Sequence, residues 1–169
     1  IRDRQLDKMD QGDELLKPGP EIESYRTGTG IGQFLAGDRL DVKYATKELA
    51  REAAHPTLRA QAKLKRLARH LATHRRLIIF FNWQKFRGKV QLRIYTDANH
   101  AGCPRTRKSS TCCLAMRGNH LISEVVTTQP LVSLSSGESE FYAVVRAAVE
   151  ALFIYNMLVW WGDDVDTPE

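Results

Sequence analysis

At 169 residues, with 43% apolar and 27% charged content, the chain can build one domain with a proper core, or one domain and an appendage, and global disorder is excluded. The net charge of +5 is unevenly placed: acids crowd the first two dozen residues, whereas Glu52 is the only acid between Arg51 and Arg93. Cys103, Cys112 and Cys113 form no C-x-x-C pair, which excludes a disulfide framework and points to a reducing, intracellular setting, cytoplasmic or nuclear. No apolar run approaches bilayer-spanning length, so no membrane partner is expected.

The start, Ile1-Arg2-Asp3-Arg4, reads as a piece of a longer polypeptide. Residues 1–24 mix charges with Gly12, Pro18, Gly19 and Pro20 and predict a linker or loosely held tail. From Tyr25 to Ala36, Gly28, Gly30 and Gly32 form a G-x-G pattern with no strand before it and no lysine after it, so close helix packing is the stronger reading than a phosphate loop. Asp38 can cap a helix to about Ala54, which His55-Pro56 breaks.

The periodicity of Ala60, Leu64, Leu67, Ala68 and Leu71 predicts a helix over Thr57–His74. Arg59, Lys63, Arg66 and His70 fall on an adjoining face, with Lys65, Arg69 and Arg76 beside them. Such a row suits a phosphate backbone, and it equally suits a solvated face. His70 and His74 have the i, i+4 spacing of metal ligands but lack an intervening H-E-x-x-H acid.

Leu77–Trp83 predicts a short apolar strand, and Lys85–Lys89 a turn into the next. Leu92 to Asp97 alternates as a strand that stops at a carboxylate followed by small residues, so Asp97 either starts a turn or holds something. Arg105 and Lys108 lie in a basic loop, Cys103–Lys108. Two strands follow, near Thr111–Met116 and His120–Thr127, joined by the hairpin signal Arg117-Gly118-Asn119. His100, Cys103 and His120 match no zinc spacing.

Leu134–Trp161 predicts the longest helix, opened by a capping box of Ser135 and Glu138 and closed at Gly162. Its expected buried stripe is Phe141, Val144, Val145, Ala148, Leu152, Tyr155 and Val159. Glu138 and Glu140 project about 200° apart on a helix. Periodicity does not choose between them, but the cap occupies Glu138 and leaves Glu140 free. Paired with Asp97, such a carboxylate suggests a site for hard divalent cations, which take oxygen ligands and drive in-line attack of water on phosphodiesters.

The stretches Asp97-Ala98-Asn99-His100-Ala101-Gly102-Cys103, Arg107-Lys108-Ser109-Ser110-Thr111, Leu121-Ile122-Ser123 and Leu134 to Ala143 together resemble the ribonuclease H domain of copia-type LTR retrotransposon Pol polyproteins. Upstream, Tyr25-Arg26, Arg39-Leu40-Asp41-Val42, Tyr44-Ala45, His55-Pro56 and Ala62 to Leu67 resemble the segment joining that family's reverse transcriptase to its ribonuclease H. The resemblance implies an α/β fold: an incomplete ribonuclease H-like mixed sheet over residues 77–169, preceded by a small helical connection segment over 25–76.

It further implies cleavage of the RNA strand of RNA/DNA hybrids with Mg²⁺ (or Mn²⁺), with Asp97 and Glu140 as catalytic and metal-binding residues. The nucleic-acid contacts expected are Arg59, Lys63, Arg66, Arg69, Arg105 and Lys108, and the expected partners are hybrid and the rest of the polyprotein. Asn99 and His100 stand where the family has Asp and Trp. The family's later acids fall beyond Glu169, so impaired catalysis is expected, with a non-catalytic nucleic-acid-binding or connection module as the alternative. The missing strand would lie parallel to the Asp97 strand and leave its edge to be covered by 77–83, another segment or a second molecule. Ser133-Leu134-Ser135-Ser136-Gly137 lacks the leading glycine of a serine-hydrolase elbow.

Overall fold

A computed structural model describes residues 14–85 and 88–168. The chain divides into two compact units, Ile1–Ile78 and Ile79–Glu169. The first is helical: α1 (Pro20–Leu35), a 3₁₀ turn (Leu40–Val42), α2 (Lys43–Arg51) and α3 (Leu58–Thr73). The second has three strands, β1 (Leu92–Asn99), β2 (Ser110–Arg117) and β3 (His120–Thr128), followed by α4 (Ser136–Trp160).

In the first unit, Pro20 opens α1, where its missing N–H costs nothing. Thr57 caps α3 by accepting from the Ala60 amide. Leu16, Tyr25, Val42, Leu49, Ala60 and Leu67 form the core. Tyr25 is fully buried, and its hydroxyl donates to the Leu49 carbonyl at 2.8 Å. Burial pushes its pKa up to about 12.

Several expectations change here. Within the stretch read as a tail, Leu16 is buried, the Leu16 and Leu58 amides are bonded to Pro56 and Glu14, and α1 begins at Pro20; residues 1–13 lie outside the described residues. The glycine cluster is inside α1: a Cβ at Gly28 would meet Leu64 at 2.9 Å, and one at Gly32 would meet Thr46 at 3.0 Å. These are packing glycines, as the weaker phosphate-loop pattern left open. The helix expected over 38–54 is a 3₁₀ turn plus the short α2. Asp38 does not cap it, because the chain turns at 36–38 and Arg39 folds back onto Asp41.

In the second unit the sheet is antiparallel with order β1-β2-β3, joined by the expected hairpin at Gly118 (φ +59°). The mixed sheet is present only as one parallel bridge, Val90 to Val165, made after Gly162 turns the chain back from α4. The Val90 amide donates to Asp164 at 2.7 Å, and the Asp166 amide to Val90 at 3.0 Å. Beyond that bridge, no strand pairs with the outer edge of β1 among the described residues. Leu77–Trp83 is not a strand either. It runs extended without ladder partners, its apolar side chains between 39% (Ile79) and 91% (Trp83) exposed. Its end is held by side chains instead: Gln84 bonds the Arg117 carbonyl and Asn119 amide, and His120 bonds the Asn82 carbonyl. The predicted turn after it includes residues 86–87, which lie outside the described residues.

The stripe expected to bury α4 is the wrong one. Ser139, Ala143, Ala147, Ala151, Ile154 and Leu158 face inward. Phe141, Val144, Val145, Leu152 and Val159 face out. The helix is apolar nearly all round, and the side with small residues can approach the sheet most closely. Ile154 and Leu158 complete a core with Val90, Leu92, Ala115 and Val165. By length and composition α4 also reaches what a bilayer span requires, contrary to the sequence expectation.

Candidate functional site

The two carboxylates singled out by sequence sit on neighbouring elements. Asp97 lies in β1 opposite Cys112, exposed, two residues before the strand ends at Asn99 and turns. Glu140 is half-buried in the second turn of α4. The capping box forms as expected: Ser135 accepts from the Glu138 amide at 3.1 Å. Glu138 is then occupied twice, by the Leu134 amide at 2.7 Å and by the Tyr142 hydroxyl at 3.1 Å. That carboxylate holds the Tyr142 proton and raises its pKa. Glu140 has no hydrogen-bond or ion-pair partner among the described residues, so the free carboxylate is the one the cap argument chose.

What ties β1 to α4 is a buried polar network that sequence reasoning missed. The Thr96 hydroxyl lies 3.0 Å from the Cys112 carbonyl and 3.3 Å from the Ala143 carbonyl. Gln129, buried just past β3, donates from Nε2 to the Thr111 hydroxyl at 3.0 Å and to the Ser139 carbonyl at 2.8 Å. It also accepts from the Ser133 hydroxyl at 3.0 Å, and its amide donates to Ser109. Thr111 is the register partner of Ala98. Residues flanking Asp97 are therefore joined to Ser139 and Ala143, which bracket Glu140. Leu92, Ile94 and Thr96 face α4, so alternation along β1 turns the exposed Asp97 side chain to the sheet face away from α4, and the structure does not bring it together with Glu140. The signal for this network in the sequence was a run of small polar residues where strand ends and helix start meet, which reads as a loop.

These residues do not by themselves fit a divalent metal. Among the described residues no three His, Cys, Asp or Glu side chains gather to hold an ion. Mg²⁺ takes one or two carboxylates and fills its octahedral shell with water and substrate oxygens, so this pair would serve only by closing on one ion, and Asp97 faces away from α4. Of the acids that follow α4, Asp163 accepts from Arg117 at 2.7 and 2.9 Å, and Asp166 pairs with Lys89 at 3.9 Å. His70 and His74 stack at 4.6 Å, and His70 bonds Asp41 at 2.8 Å. Ser133 serves Gln129 and Ser135 caps, which leaves no serine nucleophile there.

The predicted cationic face is partly used internally. Lys63 pairs with Glu52 at 2.8 Å, while Arg59 is half-buried and Arg66 and Arg69 are exposed on α3. In the second unit Arg105 is exposed and Lys108 half-buried, on a loop closed by bonds of Cys103 with Lys108 and Arg107. Sequence reasoning also missed the cluster at the C-terminal end of α3. Arg39 grips Asp41 through two bonds (2.9 and 2.7 Å) and donates to the His74 carbonyl at 2.9 Å. That guanidinium, helped by His70, holds the Asp41 carboxyl well below the usual carboxylate range.

No family model matches the chain, and no solved structure matches it. It is similar to an uncharacterised mitochondrial protein of Arabidopsis thaliana, 32% identical over 133 residues, covering 78% of this chain and 53% of that protein. It is also similar to the retrovirus-related Pol polyproteins from transposons RE2 and RE1 of the same plant. The first is 31% identical over 149 residues and the second 31% over 144, covering 88% and 85% of this chain. The chain spans about half the length of the first of these relatives and 10% of each polyprotein. By this likeness the chain is a distant homologue of retrotransposon Pol polyproteins.

Proposed function

We propose that the second unit is the ribonuclease H-type portion of a retrotransposon Pol polyprotein and that the helical unit is the connection segment before it. In this reading Asp97 and Glu140 are two of the carboxylates of a hydrolytic centre for the RNA strand of RNA/DNA hybrids. The observation that supports it is the buried network through Thr96, Thr111 and Gln129, which packs the strand carrying Asp97 against the first turns of the helix carrying Glu140. Asp97 faces away from α4, so the pair does not close on one Mg²⁺ or Mn²⁺ ion, and the chain alone binds hybrid without cutting it.

A second reading, a nucleic-acid-binding module without catalysis, is favoured by the exposed Arg66, Arg69 and Arg105, which need no acids to act. One experiment tests the acid set and the cationic contacts together. A labelled hybrid is titrated with the chain in Mg²⁺ or Mn²⁺, and both cleavage and binding are followed as salt rises. We expect no cleavage above that of Asp97→Asn, with binding that falls steeply with salt. Arg66→Ala combined with Arg69→Ala should reduce the salt slope by about 1 per residue. Strong cleavage abolished in Asp97→Asn would show the acid set to be complete after all. Cleavage unaffected by that substitution would remove Asp97 from the chemistry, and salt-independent binding would remove the cationic contacts.

A further inference from the structure

The outward side of α4 is an apolar surface that no element among the described residues of the second unit covers. Phe141, Val144, Val145, Val149, Leu152 and Val159 are each about half exposed or more, and Phe153 and Trp160 extend the strip at 66% and 81%. Taken with the ~150–250 Å² an aromatic side chain offers, the strip amounts to something on the order of 800 Å². That exceeds the ~300–600 Å² of the largest patch on a typical monomer and matches the ~800 Å² per partner of a standard specific interface.

The spacing suits a helix as the occupant. Phe141, Val145, Ala148, Leu152 and Val159 are spaced by four, three, four and seven residues, the repeat that keeps a seam facing a second helix, while Tyr155 turns onto the chain's own core. Ala148, exposed and the smallest side chain of the seam, stands near its middle, with Val144 and Leu152 four residues to either side. A strip of that design is complementary to itself turned end for end. Mid-helix charge does not oppose contact, since Arg146 and Glu150 pair with each other along their own helix, on the flank. Antiparallel pairing also sets unlike ends of the two helix dipoles side by side.

We propose that α4 is an isologous interface: two copies of the chain pack antiparallel along this strip, crossing at Ala148. Each large side chain then enters the space beside Ala148 or Val145 of the other copy, and the twofold axis passes next to residue 148.

Sedimentation equilibrium on the full chain tests it. The expected mass is twice 19.2 kDa, falling to 19.2 kDa on dilution. Leu152→Glu, which places a charge in the seam, should weaken the dimer by ~30-fold or more. Phe34→Ser, an equally exposed aromatic on α1, should leave it unchanged. Both positions are exposed, so circular dichroism melts should stay near those of the parent chain. Under mild oxidation Ala148→Cys should cross-link between copies, and Phe141→Cys, which stands level with residue 155 in this arrangement, should not. A chain that stays at 19.2 kDa at all concentrations, a dimer indifferent to Leu152→Glu, open-ended assembly, or cross-linking at 141 in place of 148 would each overturn the proposal.

Discussion

Gln129 carries more of the second unit than its place at the end of a strand would announce. Its side chain serves a hydroxyl on β2, a hydroxyl on the loop and a carbonyl in the first turn of α4, all without solvent. Gln129→Leu keeps the volume and orphans those groups, so the loss should be about 3 kcal/mol. Urea unfolding followed by tryptophan fluorescence measures it, since Trp83, Trp160 and Trp161 all lie in this unit. A loss below ~0.5 kcal/mol, the range of inert surface changes, would show the network to be idle. In the helical unit the corresponding residue is Asp41. Arg39 depresses its folded pKa, so unfolded chains take up its proton first as pH falls. Its stabilisation is full above the ordinary carboxylate value of about 3.9 and drains away below it. Asp41→Asn should therefore melt lower than the parent at pH 6, with the difference closing as pH drops from about 5 toward 2. A difference that did not change with pH would mean that packing, not charge, sets the effect.

At the scale of elements, α1 offers opposite outcomes within three residues. A Cβ at Gly30 meets nothing within 4 Å, and Gly30→Ala should raise stability by ~0.5–1 kcal/mol through backbone entropy alone. Gly32 faces the stiff, β-branched Thr46, and Gly32→Val should lower stability by ~1–3 kcal/mol. Thermal melts by circular dichroism report both, and equal signs for the two would refute the packing described for this helix. The sequence disclosed these helices through periodicity and, for α4, through its cap: Ser135 and Glu138 act where local chemistry placed them, whereas Asp38 does not. It did not disclose which side of α4 lies on the sheet. Periodicity weights bulky side chains, whereas the Thr96 contact with Ala143 requires the helix backbone to come close, which only Ser139 and the alanines permit. Leu77–Trp83 failed for a related reason. Strand propensity says what a segment would do beside a partner, not whether one is present.

For the whole molecule, the hairpin, the long helix and the carboxylate left free by its cap could be read from the sequence, because each rests on neighbours in the chain. The network that packs β1 against α4 could not, since Gln129, Thr111 and Ser139 meet only after the hairpin and helix have folded. The same holds for the tail acids. Only the folded positions of Arg117 and Lys89 show that Asp163 and Asp166 are committed elsewhere. The apolar run between the units has a last consequence. A protease cleft grips its substrate as a strip outside helix and sheet, and residues 77–83 offer one rich in exposed aromatic side chains, anchored near its end at Asn82. Brief chymotrypsin treatment should therefore find its scissile bonds after Phe80, Phe81 or Trp83 before any inside a helix or the sheet. Mass spectrometry of the early fragments would show whether this junction is the first bond the chain surrenders.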